Sequence, residues 1–200
     1  MNLYISDTHF GHANVIRFDH RPFADVQEMD EIMIKLWNNR VRPEDDVWFL
    51  GDLCHKSGNP PEWYLRRLMG RKHLVVGNHD LVILNSPQAL SYFESVDQIA
   101  QVTDVYQGEN IQIILCHYPI LQWAHKHHGS WHIYGHIHTD TGEAYQIMSS
   151  FDRALNAGAP INNYTPVSLR ELVENNKAFR EKVRHHAFVN DKYGDKGGKK

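Results

Sequence analysis

The sequence predicts an α/β or α+β fold of stacked layers. Three observations carry this. Short apolar runs bounded by turn residues recur along the chain, two stretches of helical character separate the early runs, and a capped helix closes the sequence. At 200 residues the chain fits one domain, read as 1–190, with the polar glycine-lysine stretch 191–200 read as a disordered tail.

Taken in order, "NLYIS" is a strand that runs straight into "DTHFGH". "DVQEMDEIMIKLWNNRV" spreads Val26, Met29, Ile32, Ile34, Leu36, Trp37 and Val41 with helical rather than alternating spacing, behind an Asp at its start. "DVWFLGD" is a short buried strand ending in Gly-Asp, and "PPEWYLRRLMG" is a helix with Pro in its first turn and Gly at its stop. "KHLVVGNHD" is another short strand. "QIAQVTDVYQGENIQIILCHYP" holds two strands around a "QGEN" turn. "WHIYGHIH", "EAYQIMSS" and "RALNAG" add strand candidates. From Ser168 a helix begins with Ser168 as N-cap and Glu171 completing a capping box.

Composition excludes several functions. The formal charge of −3 argues against a general binder of nucleic acid or anionic membrane. No apolar run is long enough to span a bilayer, and "MNLYISD" is unlike a signal peptide. Cys54 and Cys116, the two cysteines, are too few for a disulfide framework and read as reduced thiols of a cytoplasmic protein. The unusual feature is 15 histidines, several at the ends of strands.

The buried strands end in Asp7 and His9, then Asp52, then Asn78 and His79, then His117, then His136 and His138. Imidazole, carboxylate and amide oxygen without thiolate suit Mn, Fe or Zn in a mixed nitrogen and oxygen shell. Leaving His79 aside, the set exceeds what one ion needs. Two ions sharing a carboxylate fit it better, a known device for phosphoryl chemistry.

The blocks "DTH", "GD", "GNHD", "CH" and "GHIH", in this order, resemble those of the calcineurin-like metallophosphoesterases, and "LNAG…NNYTPVSL" is similar to small bacterial members. The resemblance implies a four-layer α/β/β/α sandwich of two mixed sheets flanked by helices. It implies that Asp7, His9 and His138 bind a first metal, that Asn78, His117 and His136 bind a second, and that Asp52 bridges both. The cofactors would be two divalent ions, Mn foremost, with Fe or Zn as alternatives. The reaction would be hydrolysis of a phosphodiester or phosphomonoester by a metal-bridging hydroxide, with His79 as general acid and Asp52 essential to catalysis. One departure stands out. The phosphoprotein phosphatases carry an Asp three residues after the bridging Asp, and here "GDLCHKS" places His55 there. That departure argues for a general phosphoesterase over a phosphoprotein enzyme, and with no large cap domain and an acidic balance a small or nucleotide-like phosphate ester is the expected substrate. A nuclease or nucleotide pyrophosphatase on the same site is the alternative, and a non-catalytic protein-binding module a more distant one.

Around this set, His12, Asn14 and the cations Arg17 and Arg21 follow the first block closely enough to contact substrate. His128, in "HKHHGS", is a further candidate contact, weighed against a plain solvated loop. His132 shares the parity of His136 and His138 but reads as a hydrogen-bonded or surface histidine. Gly135 gives the backbone room at the strand end. Trp37, Trp48, Trp63 and Tyr64 read as core.

Overall fold

The first strand, β1 (Asn2–Ile5), sends Leu3 and Ile5 to one side and Tyr4 to the other, and the two sides join different cores. This period-2 division organises the whole chain. The computed structural model describes the backbone of residues 1–193 and the side chains of residues 1–185. After β1 come α1 (Ala13–Phe18), α2 (Val26–Arg40), β2 (Asp46–Phe49), α3 (Pro61–Leu65), β3 (Arg71–Val75), α4 (Leu81–Leu84), α5 (Pro87–Leu90) and β4 (Phe93–Asp97). The second half holds β5 (Ile99–Tyr106), β6 (Glu109–Cys116), β7 (Trp131–Tyr134), α6 (Glu143–Met148), β8 (Ala154–Asn156) and α7 (Leu169–Tyr193).

Two four-stranded sheets result, ordered β1-β2-β3-β4 and β5-β6-β7-β8. The first is parallel throughout rather than mixed, because helices carry every connection between its strands back to the starting edge. The second is mixed: β5 and β6 form an antiparallel hairpin, and β6, β7 and β8 run parallel. Parallel strands deliver their C-terminal ends to one edge, which is why the site residues gather there.

One core lies between the first sheet and its helices, built on Leu3, Ile5, Met29, Met33, Trp37, Phe49 and Leu74. A second lies between the sheets, where Tyr4, Leu50 and Val75 meet Ile113, Leu115, Trp131 and Ile133. A third covers the outer face of the second sheet, with Ile114 and Tyr134 under Met148 of α6. Burying side chains of this size contributes roughly 1.5–3 kcal/mol each. The order helix, sheet, sheet, helix is the expected sandwich.

Local chemistry explains the element boundaries. Asp25 caps α2 by accepting from Glu28 N at 2.8 Å. At α7 the capping box forms: Glu171 N donates to Ser168 Oγ at 3.4 Å, and Ser168 N donates to Glu171 Oε2 at 2.8 Å. α7 runs three residues into the stretch read as tail, and 194–200 lie outside the described residues. "EAYQIMSS" is a helix, α6, not a strand: Tyr145 and Met148, three apart, are its buried pair. Among the described residues no helix is long and apolar enough to cross a membrane. Both cysteines are free and buried, and burial pushes the Cys54 thiol up to about 12.

Candidate metal centre at the strand ends

Five of the strand-end residues, Asp7, His9, Asp52, His136 and His138, hold φ between 49° and 70°, the left-handed region that non-glycine residues rarely occupy. Such strain persists only where the surroundings impose it, and it clusters at functional sites. Here it turns side chains inward beyond the ends of β1, β2 and β7. β7 stops at Tyr134, so His136 and His138 reach the site by these turns and not by strand parity.

Asp7, His9 and His138 form one group able to hold a metal ion, and Asp7, Asp52 and His117 a second. Asp7 is common to both. Asp52 also sits between them, its Oδ2 lying 3.7 Å from His9 Nε2 and 3.6 Å from His117 Nε2. Asn78 Oδ1 lies 3.0 Å from His117 Nε2 and 2.9 Å from His136 Nδ1. All seven ligand candidates thus converge on one edge. His79 stands outside both groups, with its backbone N donating to Asp52 Oδ1 at 2.8 Å and its Nε2 3.9 Å from Asp52 Oδ2.

The donor chemistry fits cations. His117 Nδ1 is 2.7 Å from Leu50 O, which can only accept, so the proton sits there and the Nε2 lone pair faces the Asn78 and Asp52 oxygens. His138 Nδ1 lies 2.8 Å from both oxygens of Asp19, which fixes the same tautomer and aims Nε2 at Asp7 Oδ1, 3.5 Å away. The Nε2 atoms of His9 and His138 are 3.1 Å apart. Asp7 Oδ1 and His9 Nδ1 are buried with no hydrogen-bond partner, an arrangement costing about 1–3 kcal/mol per group unless a ligand answers it. Lone pairs facing lone pairs around an orphaned carboxylate oxygen are what a cation relieves.

Without a cation, burial raises the Asp7 carboxyl against the pull of His138 and His117. Burial, with His138 and Arg21 nearby, holds His9 far below the usual imidazole range and so neutral, the state a ligand requires. Burial also lowers His138, but its hydrogen bond to Asp19 and the charge of Asp7 outweigh that and raise it.

Several expected contacts take other roles. Arg21 is no substrate grip. Its guanidinium is buried, donating to Thr8 O at 2.7 Å, Asp7 O at 2.9 Å and Asp19 Oδ2 at 2.9 Å, so it braces the first ligand turn from behind. Asn14 and Arg17 are exposed on α1. His128 lies in a pocket with Glu109 and Gln112, at the opposite end of β6 from His117, and the fold does not bring it to the site. His12 does reach the site, its ring 5.7 Å from His9 and 4.8 Å from His55. His132 is fully buried, bonded to Ile114 O at 3.0 Å and accepting from Ile120 N at 3.1 Å; burial lowers it to about 4.

Two supporting acids were not visible in the sequence reading. Asp19 orients His138, as above. Asp80, completely buried, accepts from the backbone N–H groups of Gly77 (2.8 Å), Asp52 (2.9 Å) and Leu53 (3.1 Å), tying the ends of β2 and β3 together. The rule that a metal-binding His donates its other N–H to a carboxylate signals that an acid like Asp19 exists, but not which one. Gly135 is needed for space: a Cβ there would stand 1.9 Å from Ser6 Oγ and 2.6 Å from Asp7 Oδ2.

The fold and site define an α/β sandwich protein with an Asp/His cluster that could hold metal at its strand ends. The chain belongs to the family of the uncharacterized protein MJ1445 of Methanocaldococcus jannaschii, to which it is 34% identical over 182 residues, covering 88% of this chain and 93% of that one. No family model matches it. A solved structure of AQ665 from Aquifex aeolicus, a protein of unknown function, superposes with a TM-score of 0.63 at 28% identity, covering 87% of this chain and 98% of that one. A symmetrical bis(5'-nucleosyl)-tetraphosphatase of Aliivibrio fischeri is 29% identical over 104 residues, covering 49% of this chain and 38% of the enzyme.

Proposed function

We propose that the protein is a metal-dependent phosphoesterase of the calcineurin-like class, hydrolysing a phosphodiester or phosphomonoester bond over two divalent ions, Mn foremost. The observation that carries this reading is the pair of overlapping ligand groups around Asp7 and Asp52, assembled from the ends of separate strands. The partial likeness to a tetraphosphatase supports hydrolysis at phosphorus. The chemistry that divalent cations supply in such a site is acidification of water and neutralisation of phosphate oxygens.

The chain's own residues do the rest. Asp7 and Asp52 provide the negative charge that draws cations into a buried edge. His117 and His138 have their Nδ1 protons engaged by Leu50 O and Asp19, so each presents a fixed Nε2 donor. Asn78 adds a neutral oxygen, which limits the net charge of the shell. His79, with a side chain 35% exposed, stands at the mouth, where a proton from its ring reaches a departing oxygen.

The test is metal analysis of purified protein followed by chromogenic mono- and diesters assayed with Mn, Zn and Mg. Close to two ions per chain and turnover of at least one ester are expected. A single ion at saturation breaks the dinuclear part, and no turnover with any metal breaks the phosphoesterase reading.

A further inference from the structure

Beside the metal centre a cavity of about 370 Å³ opens between the segment after β2 and His79, with His55, Lys56, Ser57, Asn59 and Val82 among its walls. It is large enough for a small ligand. No carboxylate lines it. Of the two acids that adjoin its lining residues in sequence, Glu62 is turned to Ser86 by a short hydrogen bond and Asp80 to the backbone N–H groups of Gly77, Asp52 and Leu53. Lys56 is exposed and has no ion-pair partner among the described residues. Lys56 and its neighbour His55 line the cavity together, on the side of it that faces His79.

The wall is held in place. Lys56 sits at φ 47°, and the next residue, Ser57, accepts from Asn59 N at 3.1 Å and pairs with Tyr64 Oη at 2.6 Å. Tyr64 in turn donates to Asp30 at 3.1 Å, and Asp30 accepts from Gly11 N at 2.9 Å, so the cavity wall is tied to the turn after the first ligand block. The His55 ring lies 3.9 Å from that of His79. A group that leaves beside His79 has this space open to it.

We propose that this cavity is the leaving-group subsite and that Lys56 makes it selective for departing groups that themselves carry phosphate. The proposal rests on the phosphoesterase reading and adds a substrate class to it: a phosphoanhydride or an ester of a phosphorylated alcohol. In the hydrolysis, water adds to phosphorus, the bond from phosphorus to the bridging oxygen breaks, and that oxygen takes one proton. Lys56 neutralises charge on the far phosphate and takes no part in the proton transfer.

The experiment compares kcat/KM of wild type, Lys56→Gln and Lys56→Arg on two substrate sets. p-Nitrophenyl phosphate and bis(p-nitrophenyl) phosphate release a group without phosphate; adenosine triphosphate and diadenosine tetraphosphate release a phosphorylated one. Loss of one charge-assisted contact predicts that Lys56→Gln loses about tenfold on the second set and less than about twofold on the first, with Lys56→Arg restoring the difference. Equal loss on both sets assigns Lys56 to the scissile phosphate and overturns the subsite, as does no loss on either. If wild type cleaves neither set with any metal, the phosphoesterase reading itself has failed and the subsite falls with it.

Discussion

At the scale of the residue, the roles divide between groups that would touch metal or substrate and groups that aim them. His79 belongs to the first kind yet lies outside both ligand groups, so His79→Ala should leave metal content unchanged by elemental analysis while turnover falls about 10²–10⁴-fold. Asp19 belongs to the second. Its carboxylate fixes the tautomer of His138, and Asp19→Asn should weaken metal affinity about 10–100-fold by titration calorimetry. The ligand candidates were legible in the sequence because each follows a strand-like run. Arg21 was misjudged because a cation near a ligand block looks the same in sequence whether it faces substrate or, as here, three backbone and side-chain acceptors behind the site.

At the scale of the element, the legible parts were those with an unbroken period. The buried strands, the amphipathic α2 and the capped α7 all declare themselves. β4 does not, because it is an edge strand with most of its residues exposed or half-exposed and no apolar alternation. α1 was missed because its N-terminus has no side-chain cap, and α6 was misread because six residues are too few to separate a period of 3.6 from one of 2. Contacts between elements were invisible for a different reason: Asp80 joins β2 to β3 through three backbone donors 3 to 28 positions away. Asp80→Ala leaves all three buried and unanswered, and should cost roughly 3 kcal/mol or more in denaturant unfolding. A loss below about 1 kcal/mol would mean that water replaces the carboxylate.

At the scale of the whole molecule, pH and sheet packing act together. Burial raises the Asp30 carboxyl from 3.8 to about 6 despite hydrogen bonds from Gly11 and Tyr64. Its folded-state value lies above its unfolded one, so between about pH 4 and 6 the folded chain holds a proton that the unfolded chain has lost, and stability falls as pH rises through that window. The decline should be about 2–3 kcal/mol by chemical denaturation, and Asp30→Asn should remove it. Gly135 gives the molecule a different sensitivity. It follows β7 of the second sheet, yet its missing side chain is what lets Ser6 and Asp7, just beyond β1 of the first sheet, come so near. Each ligand group draws on both sheets, so the spacing inside each group is a caliper on the distance between the sheets. A substitution such as Leu115→Ala in the inter-sheet core should alter metal affinity even in a chain that still folds.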